Sequence, residues 1–356
     1  MTDPPRAITW TGSAIQIIDQ TALPSQLTVL TIDKIDDLIS AIQRLAVRGA
    51  PALGAVGGLG VVLALAQAQR EGWSQDSTFA GIERLRQARP TAVNLARGVD
   101  RVRARLAEGP AAVLKEALSI LAEDEAANRL IGVQGADWIL AHVSQRPLRV
   151  LTHCNTGSLA TAAYGTALGI IRQLHHRGVL EVVYVDETRP LLQGSRLTAW
   201  ELAADGIAHL VQPDAAAAST VLDGLVDVAV IGADRIAANG DTANKIGSLG
   251  IALACADAHI PFVVAAPEDT IDFTTPTGEA ITIEHRADAE LLTWGEMRLA
   301  PAATRAYNPA FDITPARLVT ALVTPAGVLE VARGHRPDTS PISSPPRRAA
   351  GVWSGA

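Results

Sequence analysis

The first part of the chain shows two successive hydrophobic patterns. Between residues 7 and 32, apolar and polar residues alternate in short pieces around Pro24-Ser25, which predicts a small antiparallel sheet. From Asp33, a candidate N-cap, apolar residues recur at helical spacing to about Val47, and helical patterns continue to about residue 145. Residues 49–69 carry no charged side chain and are long enough to span a bilayer. Their Pro, Gly and Gln residues favour the alternative, a buried helix of a soluble protein, so we expect no membrane contact.

The pattern changes near Arg146-Pro147. Short β-rich runs then alternate with helical segments. The runs are 148–153, 180–186, 207–211, 226–231 and 262–265, and the helical segments are 158–175, 195–204, 215–222 and 246–256. The runs are continuously apolar, as buried parallel strands are. This half of the chain is therefore predicted to be α/β, with a doubly wound parallel sheet and helices on both faces.

Three regions follow from these changes. Residues 1–145 are predicted to form an N-terminal domain with a short antiparallel sheet and helices. Residues 146–334 are predicted to form the parallel-sheet domain. Residues 335–356 are rich in Pro, Ser and Arg, which predicts a disordered tail.

Composition narrows the class of protein. The 356 residues are 48% hydrophobic and 19% charged, with a formal charge of −7, which is typical of a globular protein with a large core. An acidic chain lacks the basic footprint of a nonspecific nucleic-acid binder. Two cysteines are too few for a disulfide framework, and the N-terminus lacks a signal-peptide layout. We therefore expect a cytoplasmic protein without a nucleic-acid partner.

Two candidate reactive residues follow predicted strands. The carboxyl ends of parallel strands face the ligand crevice of such a sheet, which favours a site there. Cys154 follows the run 148–153 and precedes a predicted helix, where a thiolate would have a lowered pKa; the alternative is an inert buried cysteine. Asp234 follows an apolar strand, so we expect a raised pKa and a role as proton donor. A salt bridge to Arg235 or a helix cap is the alternative for Asp234.

Two segments suit a phosphate group. Arg48-Gly49-Ala50-Pro51 precedes the Gly-rich helix, where the backbone can approach a ligand and the first N–H groups are free. Asn244-Lys245-Ile246-Gly247 is expected at another helix start and supplies a point charge and an amide donor. Metal-site motifs are absent from the sequence, and His153 is expected to point away from Cys154 because strand neighbours face opposite sides.

Seven motifs in order resemble methylthioribose-1-phosphate isomerases. They are Arg48-Gly49-Ala50-Pro51-Ala52, Thr152-His153-Cys154-Asn155-Thr156-Gly157, Asp186-Glu187-Thr188-Arg189-Pro190, Gln193-Gly194-Ser195-Arg196-Leu197-Thr198, Gly232-Ala233-Asp234-Arg235-Ile236, Asn239-Gly240-Asp241-Thr242-Ala243-Asn244-Lys245 and Asn308-Pro309-Ala310-Phe311-Asp312-Ile313-Thr314-Pro315. The resemblance covers about residues 8 to 334. It is looser over 284–300, a stretch that we expect to lie away from the site.

The resemblance implies a fold, a reaction and a set of site residues. The fold is a small N-terminal domain packed on a Rossmann-like domain, in a homodimer. The reaction converts 5-methylthioribose 1-phosphate to 5-methylthioribulose 1-phosphate in methionine salvage, with no metal or organic cofactor. Cys154 and Asp234 are the implied catalytic pair. The implied substrate-binding residues are Arg48, Gly49, Ala50, Arg89, Gln193, Asn244 and Lys245.

Alternatives remain within and beyond the family. Related members include ribose-1,5-bisphosphate isomerases, which need a second cationic patch, and activity on other 5-deoxypentose 1-phosphates is possible because apolar pockets discriminate weakly. The regulatory subunits of eukaryotic translation initiation factor two B belong to the same superfamily. A non-catalytic subunit predicts loss of the Cys or the Asp, and both are present here.

Overall fold

A computed structural model describes residues 6–90 and 92–339. The predicted disordered tail, 335–356, lies outside the described residues from position 340 onward. The antiparallel sheet at the N-terminus contains β1 (Ile8–Trp10), β2 (Ile15–Ile18) and β3 (Val29–Ile32). The helices that follow it are α1 (Ile35–Gln43), α2 (Ala50–Glu71), α3 (Gln75–Arg86), α4 (Val93–Arg103) and α5 (Pro110–His142). The predicted small sheet and helices are thus confirmed.

Helix α2 is the centre of the N-terminal core. It contacts α1, α3, α4 and α5, so it is apolar on every face. Where it crosses α4, a Cβ on Gly98 would lie 2.0 Å from the Gly54 carbonyl oxygen, so only glycine permits this approach. The helix is long and apolar enough to cross a membrane, but its side chains are mostly buried by these neighbours. That burial matches the predicted core helix.

The second half of the chain contains the larger sheet. Its strands and those of two smaller sheets are β4 (Leu148–Thr152), β5 (Leu180–Asp186), β6 (His209–Gln212), β7 (Val228–Ile231), β8 (Arg235–Ala237), β9 (Thr242–Lys245), β10 (Phe262–Ala265), β11 (Ile271–Asp272), β12 (Thr293–Trp294), β13 (Met297–Arg298), β14 (Phe311–Thr314), β15 (Ala321–Thr324) and β16 (Gly327–Leu329). Within the described residues, the large sheet has the order β16-β15-β10-β7-β4-β5-β6. Only the pairing of β16 with β15 is antiparallel.

Helices cover both faces of this sheet, which confirms the predicted α/β class. They are α6 (Ala167–His176), α7 (Ala199–Ala204), α8 (Ala217–Leu222), α9 (Ser248–Asp257) and, outside the layers, α10 (Asp288–Leu292). Val150 and Val230 pack with α6 and the second half of α5, whereas Leu151 and Ile231 pack with α8 and α9. Alternate residues of each strand therefore enter opposite cores, which is why the strands are continuously apolar.

A smaller sheet was not predicted. Its order is β11-β8-β9-β14, and β9 pairs antiparallel with both β8 and β14. Strand β9 contains Asn244 and Lys245, which the sequence had placed at a helix start. That prediction is wrong because pairing with β14 extends this segment, and helix α9 begins only at Ser248.

Two further predicted helix starts are wrong. Lys34, not Asp33, is the N-cap of α1. The predicted helix 158–175 opens instead with a 3-10 turn, Ser158–Ala160, and α6 begins at Ala167. Between them the backbone turns through left-handed conformations at Tyr164 and Gly165, which no α-helix contains.

Candidate active site

The candidate site is a cavity beyond the carboxyl ends of β4 and β7. Counting from β4, six strands of the large sheet follow the order 3-2-1-4-5-6, so the connections leave β4 and β7 in opposite directions. Ligands bind at this switch point in doubly wound sheets. The start of α2 and the segment before α4 form the opposite wall. The cavity is lined by all nine residues singled out from the sequence: Arg48, Gly49, Ala50, Arg89, Cys154, Gln193, Asp234, Asn244 and Lys245.

Arg48 and Gly49 approach the loop after β4 at the start of α2. Gly49 is the N-cap of α2 with a φ of 97°, and a Cβ there would lie 2.2 Å from the Ala160 carbonyl oxygen. Arg48 donates through Nη2 to Asn155 Oδ1 at 2.5 Å and through Nη1 to the Asn155 carbonyl at 3.4 Å. Its Nε is buried without a protein partner. A polar atom of this kind at a cavity wall is suited to contact a ligand.

Cys154 is fixed in an unusual backbone conformation. It has a φ of 63°, in the left-handed region that non-glycine residues rarely adopt. Its N–H donates to Thr188 Oγ1 at 2.9 Å, and its carbonyl accepts from Thr198 Oγ1 at 2.7 Å. Two side chains thus hold the strained residue at the end of β4, and they place its thiol on the cavity wall.

The expected lowering of the Cys154 pKa is wrong. Burial raises the pKa of the thiol, although the positive charges of Arg48 and Lys245 act in the opposite direction. No α-helix follows directly, and the amides that a helix start would offer are used elsewhere. Glu201 accepts from the N–H groups of Ser158 (2.7 Å) and Leu159 (3.3 Å). The resting site therefore favours a protonated thiol.

Asp234 lines the cavity three residues after the end of β7. Its carboxyl group is accessible from the cavity itself, but the cavity walls enclose it. This enclosure raises its pKa, against the charges of Lys245, Arg48 and Arg89. The direction agrees with the sequence prediction. The alternatives are not supported, because Asp234 precedes strand β8 rather than a helix and Arg235 pairs with Asp272 at 3.9 Å.

Lys245 and Asn244 enter from β9. The Lys245 ammonium lies 4.9 Å from the centre of the Phe311 ring, and Asn244 donates to Ser248 Oγ at 2.8 Å. Two amides at the start of α9 are not available to a ligand. Asp312 accepts from the N–H groups of Gly247 (2.7 Å) and Leu249 (3.1 Å). Lys245 therefore contributes charge to the cavity without the helix terminus that the sequence had suggested.

The cavity also contains polar atoms and residues to which the sequence assigned no role. Thr156 and Thr270 each line the cavity with a buried hydroxyl that has no hydrogen-bond partner in the protein. The side-chain oxygen of Gln193, Oε1, is also buried without a partner. Thr156 belongs to the same motif as Cys154, which is the signal that identifies it. Glu284 and Arg286 also line the cavity, so the expectation that 284–300 lies away from the site is wrong. The backbone N–H of Arg286 donates to the Asn308 carbonyl, shortly before β14, and this bond holds the start of that stretch at the cavity.

Comparison with known proteins places the chain in a family. The model of the initiation factor 2 subunit family matches residues 46–331. A methylthioribose-1-phosphate isomerase of Anaeromyxobacter sp. (strain Fw109-5) is 49% identical over 315 residues, 88% of this chain and 91% of that protein. A probable bifunctional methylthioribose-1-phosphate isomerase/methylthioribulose-1-phosphate dehydratase of Nocardia farcinica is 51% identical over 91% of this chain, which spans 59% of that relative.

Solved structures agree in fold. The crystal structure of 5-methylthioribose 1-phosphate isomerase from Pyrococcus horikoshii OT3 has a TM-score of 0.83 and 37% identity, with 92% of each chain covered. A structure described as translation initiation factor eIF-2B, subunit delta, from A. fulgidus has a TM-score of 0.81 and 39% identity, over 91% of this chain and 96% of that one. The chain therefore belongs to the initiation factor 2 subunit family, and within it to the methylthioribose-1-phosphate isomerases.

Proposed function

We propose that this protein isomerises 5-methylthioribose 1-phosphate to 5-methylthioribulose 1-phosphate, a step of methionine salvage. The observation that carries the proposal is one cavity at the sheet's switch point where Cys154 and Asp234 meet the cations Arg48, Arg89 and Lys245. Family membership supports the reaction. The resemblance also supports a cytoplasmic homodimer that uses no metal or organic cofactor, and these points belong to the proposal.

The cationic residues are suited to the 1-phosphate. Lys245 supplies a point charge, and the unpartnered Nε of Arg48 supplies a directed N–H. The first backbone N–H groups of α2, at Ala50 and Ala52, have no partner within their helix, and they follow the close approach at Gly49. We propose that the phosphate binds among these groups, with Gln193 and Asn244 on the sugar side.

Asp234 is suited to open the sugar ring. The anomeric oxygen is esterified, so the ring can open only if the bond between C1 and the ring oxygen breaks while that oxygen gains a proton. A carboxyl group whose pKa is raised by enclosure retains a proton to donate at higher pH than an ordinary one. The resulting carboxylate is then available to remove the proton of the C2 hydroxyl as C2 becomes the ketone carbon.

Hydrogen must also move from C2 to C1. In one route a base removes the C2 proton, and in the other the C2 hydrogen moves with its electron pair to an oxocarbenium-like C1. The raised pKa of Cys154 makes its thiol a poor base in the resting site, which supports the second route. In that route Cys154 shapes the site beside the cation, and a cavity poor in water protects the intermediate.

The charge balance of the cavity favours a monophosphate over a bisphosphate. Two further arginines line it, but both already face carboxylates. Arg286 binds Glu284 at 2.7 Å and also pairs with Glu290, and Arg235 lies 3.9 Å from Asp272. The remaining wall includes apolar side chains suited to an uncharged 5-substituent, namely Leu45, Leu53, Val93, Leu191 and Phe311. With Arg48, Arg89 and Lys245 at the 1-phosphate, the second phosphate of a ribose 1,5-bisphosphate would meet only arginines that already face carboxylates.

Turnover by purified variants tests this proposal. Wild type is incubated with methylthioribose 1-phosphate and EDTA, and ketose formation is followed by NMR. Asp234→Asn and Cys154→Ser are expected to lose about 100-fold or more of the turnover, the range for removal of a positioned acid or its partner. The matched control is Cys255→Ser, the same change at a buried cysteine in α9 outside the cavity.

Two results would contradict the proposal. If Asp234→Asn keeps wild-type turnover, Asp234 is not the acid. If well-folded wild type produces no ketose, the substrate assignment fails, and ribose 1,5-bisphosphate and 5-deoxyribose 1-phosphate are then assayed. Inactivity on all three would favour a non-catalytic role like that implied by the name of the A. fulgidus structure.

A further inference from the structure

His153 is a fully buried residue between β4 and Cys154 whose two ring nitrogens both face hydrogen-bond acceptors. Nδ1 lies 2.9 Å from Asp186 Oδ2, and Nε2 lies 2.8 Å from the carbonyl oxygen of Ile246. A backbone carbonyl only accepts, so Nε2 carries a hydrogen. A carboxyl group is ordinarily a stronger acid than an imidazolium, so the shared proton on the other side belongs on Nδ1. The two acceptors therefore favour a ring protonated on both nitrogens.

The groups around Asp186 are consistent with an ionised carboxylate. Its second oxygen accepts from Gln212 Nε2 at 2.9 Å, and Gln212 Oε1 accepts from Thr220 Oγ1 at 2.8 Å. Asp214 lies nearby and accepts from the backbone N–H groups of Thr188 and Arg189. The ligand atoms of His153, Asp186 and Asp214 lie within 4.8 Å of one another, but each is already hydrogen-bonded. We therefore interpret the cluster as a hydrogen-bond network and not as a metal site.

This network joins the two arms of the cavity. One arm is the end of β4, which carries Cys154, and the other is the segment after β9, in which Ile246 follows Lys245 directly. Gly247 packs against the ring so closely that a Cβ there would lie 2.8 Å from its Cε1. A change in the His153 ring is therefore expected to shift the Ile246 carbonyl, and with it the backbone of Lys245, relative to Cys154.

We propose that His153 is held as a permanent imidazolium cation and acts as a positioning residue, which fixes the distance between the Cys154 thiol and the Lys245 ammonium. The proposal rests on the proposed function in that these are the groups that would meet the substrate. The His153 ring itself does not contact the substrate, because both of its nitrogens are engaged within the protein.

The charges that face the ring explain why it stays protonated. Burial alone lowers the pKa of His153, but the hydrogen bond to Asp186 and the negative charges of Asp186 and Asp214 outweigh it, so the pKa is raised. Asp312, which caps α9, also interacts with the ring charge. The neighbouring Cys154 is held as a neutral thiol. Lys245 is the cation next in sequence to Ile246, whose carbonyl faces the ring.

The protonation state is tested by NMR of the whole protein labelled with 15N-histidine. The signals of His153 are assigned by their loss in His153→Gln. We expect both nitrogens to show imidazolium shifts from about pH 6 to about pH 9, a range in which ordinary histidines lose their charge. Signals of a neutral ring at pH 7 or 8, with one bare nitrogen, would overturn the proposal. This measurement needs no turnover, so it stands even if the proposed reaction fails.

The positioning role is tested by kinetics. The amide of His153→Gln can donate to one of the two acceptors but cannot bridge them as a cation. We expect kcat to fall about 10-fold to about 100-fold, with a smaller change in KM, because misplacement of reacting groups slows chemistry more than it weakens binding. His176→Gln, at an exposed residue at the end of α6, is the matched control.

Binding separates the possible failures. Inorganic phosphate binding by calorimetry reports the cation site without any reaction. If wild type binds phosphate but shows no turnover, the proposed function fails while the NMR test still decides the state of His153. If His153→Gln folds and keeps wild-type kcat, the positioning role is wrong. If that variant does not fold, the neutral-ring signal in wild type remains the result that would refute the proposal.

Discussion

At the scale of single residues, enclosure and positive charge act against each other on the two candidate reactive groups. Enclosure raises the pKa of Cys154 and of Asp234, and the charge of Lys245 lowers both. The sequence indicated the direction for Asp234 because apolar residues precede it. For the pKa of Cys154 the sequence indicated the wrong direction. The nearby amides are used by Glu201, which lies more than forty positions further along the chain.

Removal of the Lys245 charge is predicted to change both binding and pH dependence. In Lys245→Gln we expect KM to rise about 10-fold or more, since a charged contact to phosphate is lost. Asp234 acts as an acid, so activity falls as pH rises through its pKa. Because Lys245 lowers that pKa, its loss moves the basic limb of kcat/KM to higher pH.

The control for this prediction is Lys115→Gln, at an exposed position of α5. Profiles of kcat/KM against pH are measured for wild type and both variants. A basic limb that moves to lower pH in Lys245→Gln, or an unchanged KM, would show that Lys245 does not act on Asp234 or on the phosphate.

At the scale of elements, long-range pairing decides what the sequence could predict. The runs 180–186 and 262–265 coincide with β5 and β10, because continuous apolar residues are a strong signal of buried parallel strands. Strands β8 and β9 are short and partly polar, and they are fixed by pairing with each other, with β11 and with β14. The loop after β4 was predicted as a helix for a similar reason, since distant side chains hold it.

Glu201 is predicted to be the main anchor of that loop. It is buried, pairs with Arg172 at 2.9 Å, and accepts from Asn155, Ser158 and Leu159. Glu201→Gln leaves the buried Arg172 with Asp205, at 2.7 Å, as its remaining carboxylate partner. Because one partner remains, we expect the free energy of unfolding to fall by about 2–3 kcal/mol, less than for a fully unpaired buried charge. Chemical denaturation measures this difference.

A surface pair provides the contrast for Glu201. Asp36 pairs with Arg84 at 2.7 Å, but both side chains are more than half exposed. Asp36→Asn is therefore expected to lower the free energy of unfolding by at most about 1 kcal/mol. Equal losses in the two variants would mean that the loop after β4 does not depend on Glu201.

At the scale of the whole molecule, the site exists because two cores meet. The first half of α5 packs in the N-terminal core through Val113 and Ala117, and its second half packs on the large sheet through Ile131 and Ile139. The cavity lies between α2 and the switch point of the sheet. The family motifs anticipated which residues meet there, whereas composition and periodicity alone indicated only an edge of the sheet. The predicted domain boundary near residue 145 stays a prediction.

The pH dependence of overall stability is predicted to include one identifiable contribution. Asp124, on α5, accepts from the Ala162 N–H at 2.7 Å, and burial together with the charge of Asp269 raises its pKa to about 7. Between about pH 4 and about pH 7 the Asp124 carboxyl therefore keeps its proton in the folded protein, whereas in the unfolded chain it has lost that proton. Stability from this group is complete below about pH 4 and is lost as pH rises through about 7.

The variant Asp124→Asn isolates this contribution. The difference in free energy of unfolding, wild type minus Asp124→Asn, is expected to fall between about pH 4 and about pH 7. The exposed Asp37→Asn on α1 is the control and is expected to show no such trend. A difference that rises over this range would mean that Asp124 is stabilised as its anion.

The most direct test of the proposed reaction is turnover of 5-methylthioribose 1-phosphate that carries deuterium at C2, followed by NMR with EDTA present. We expect conversion to the ketose with deuterium recovered at C1. In the proposed route the C2 hydrogen moves directly to C1, because the protonated thiol of Cys154 is a poor base. Ketose with solvent hydrogen at C1 would contradict the direct transfer and assign a base to the site. No ketose from well-folded protein would contradict the isomerase itself.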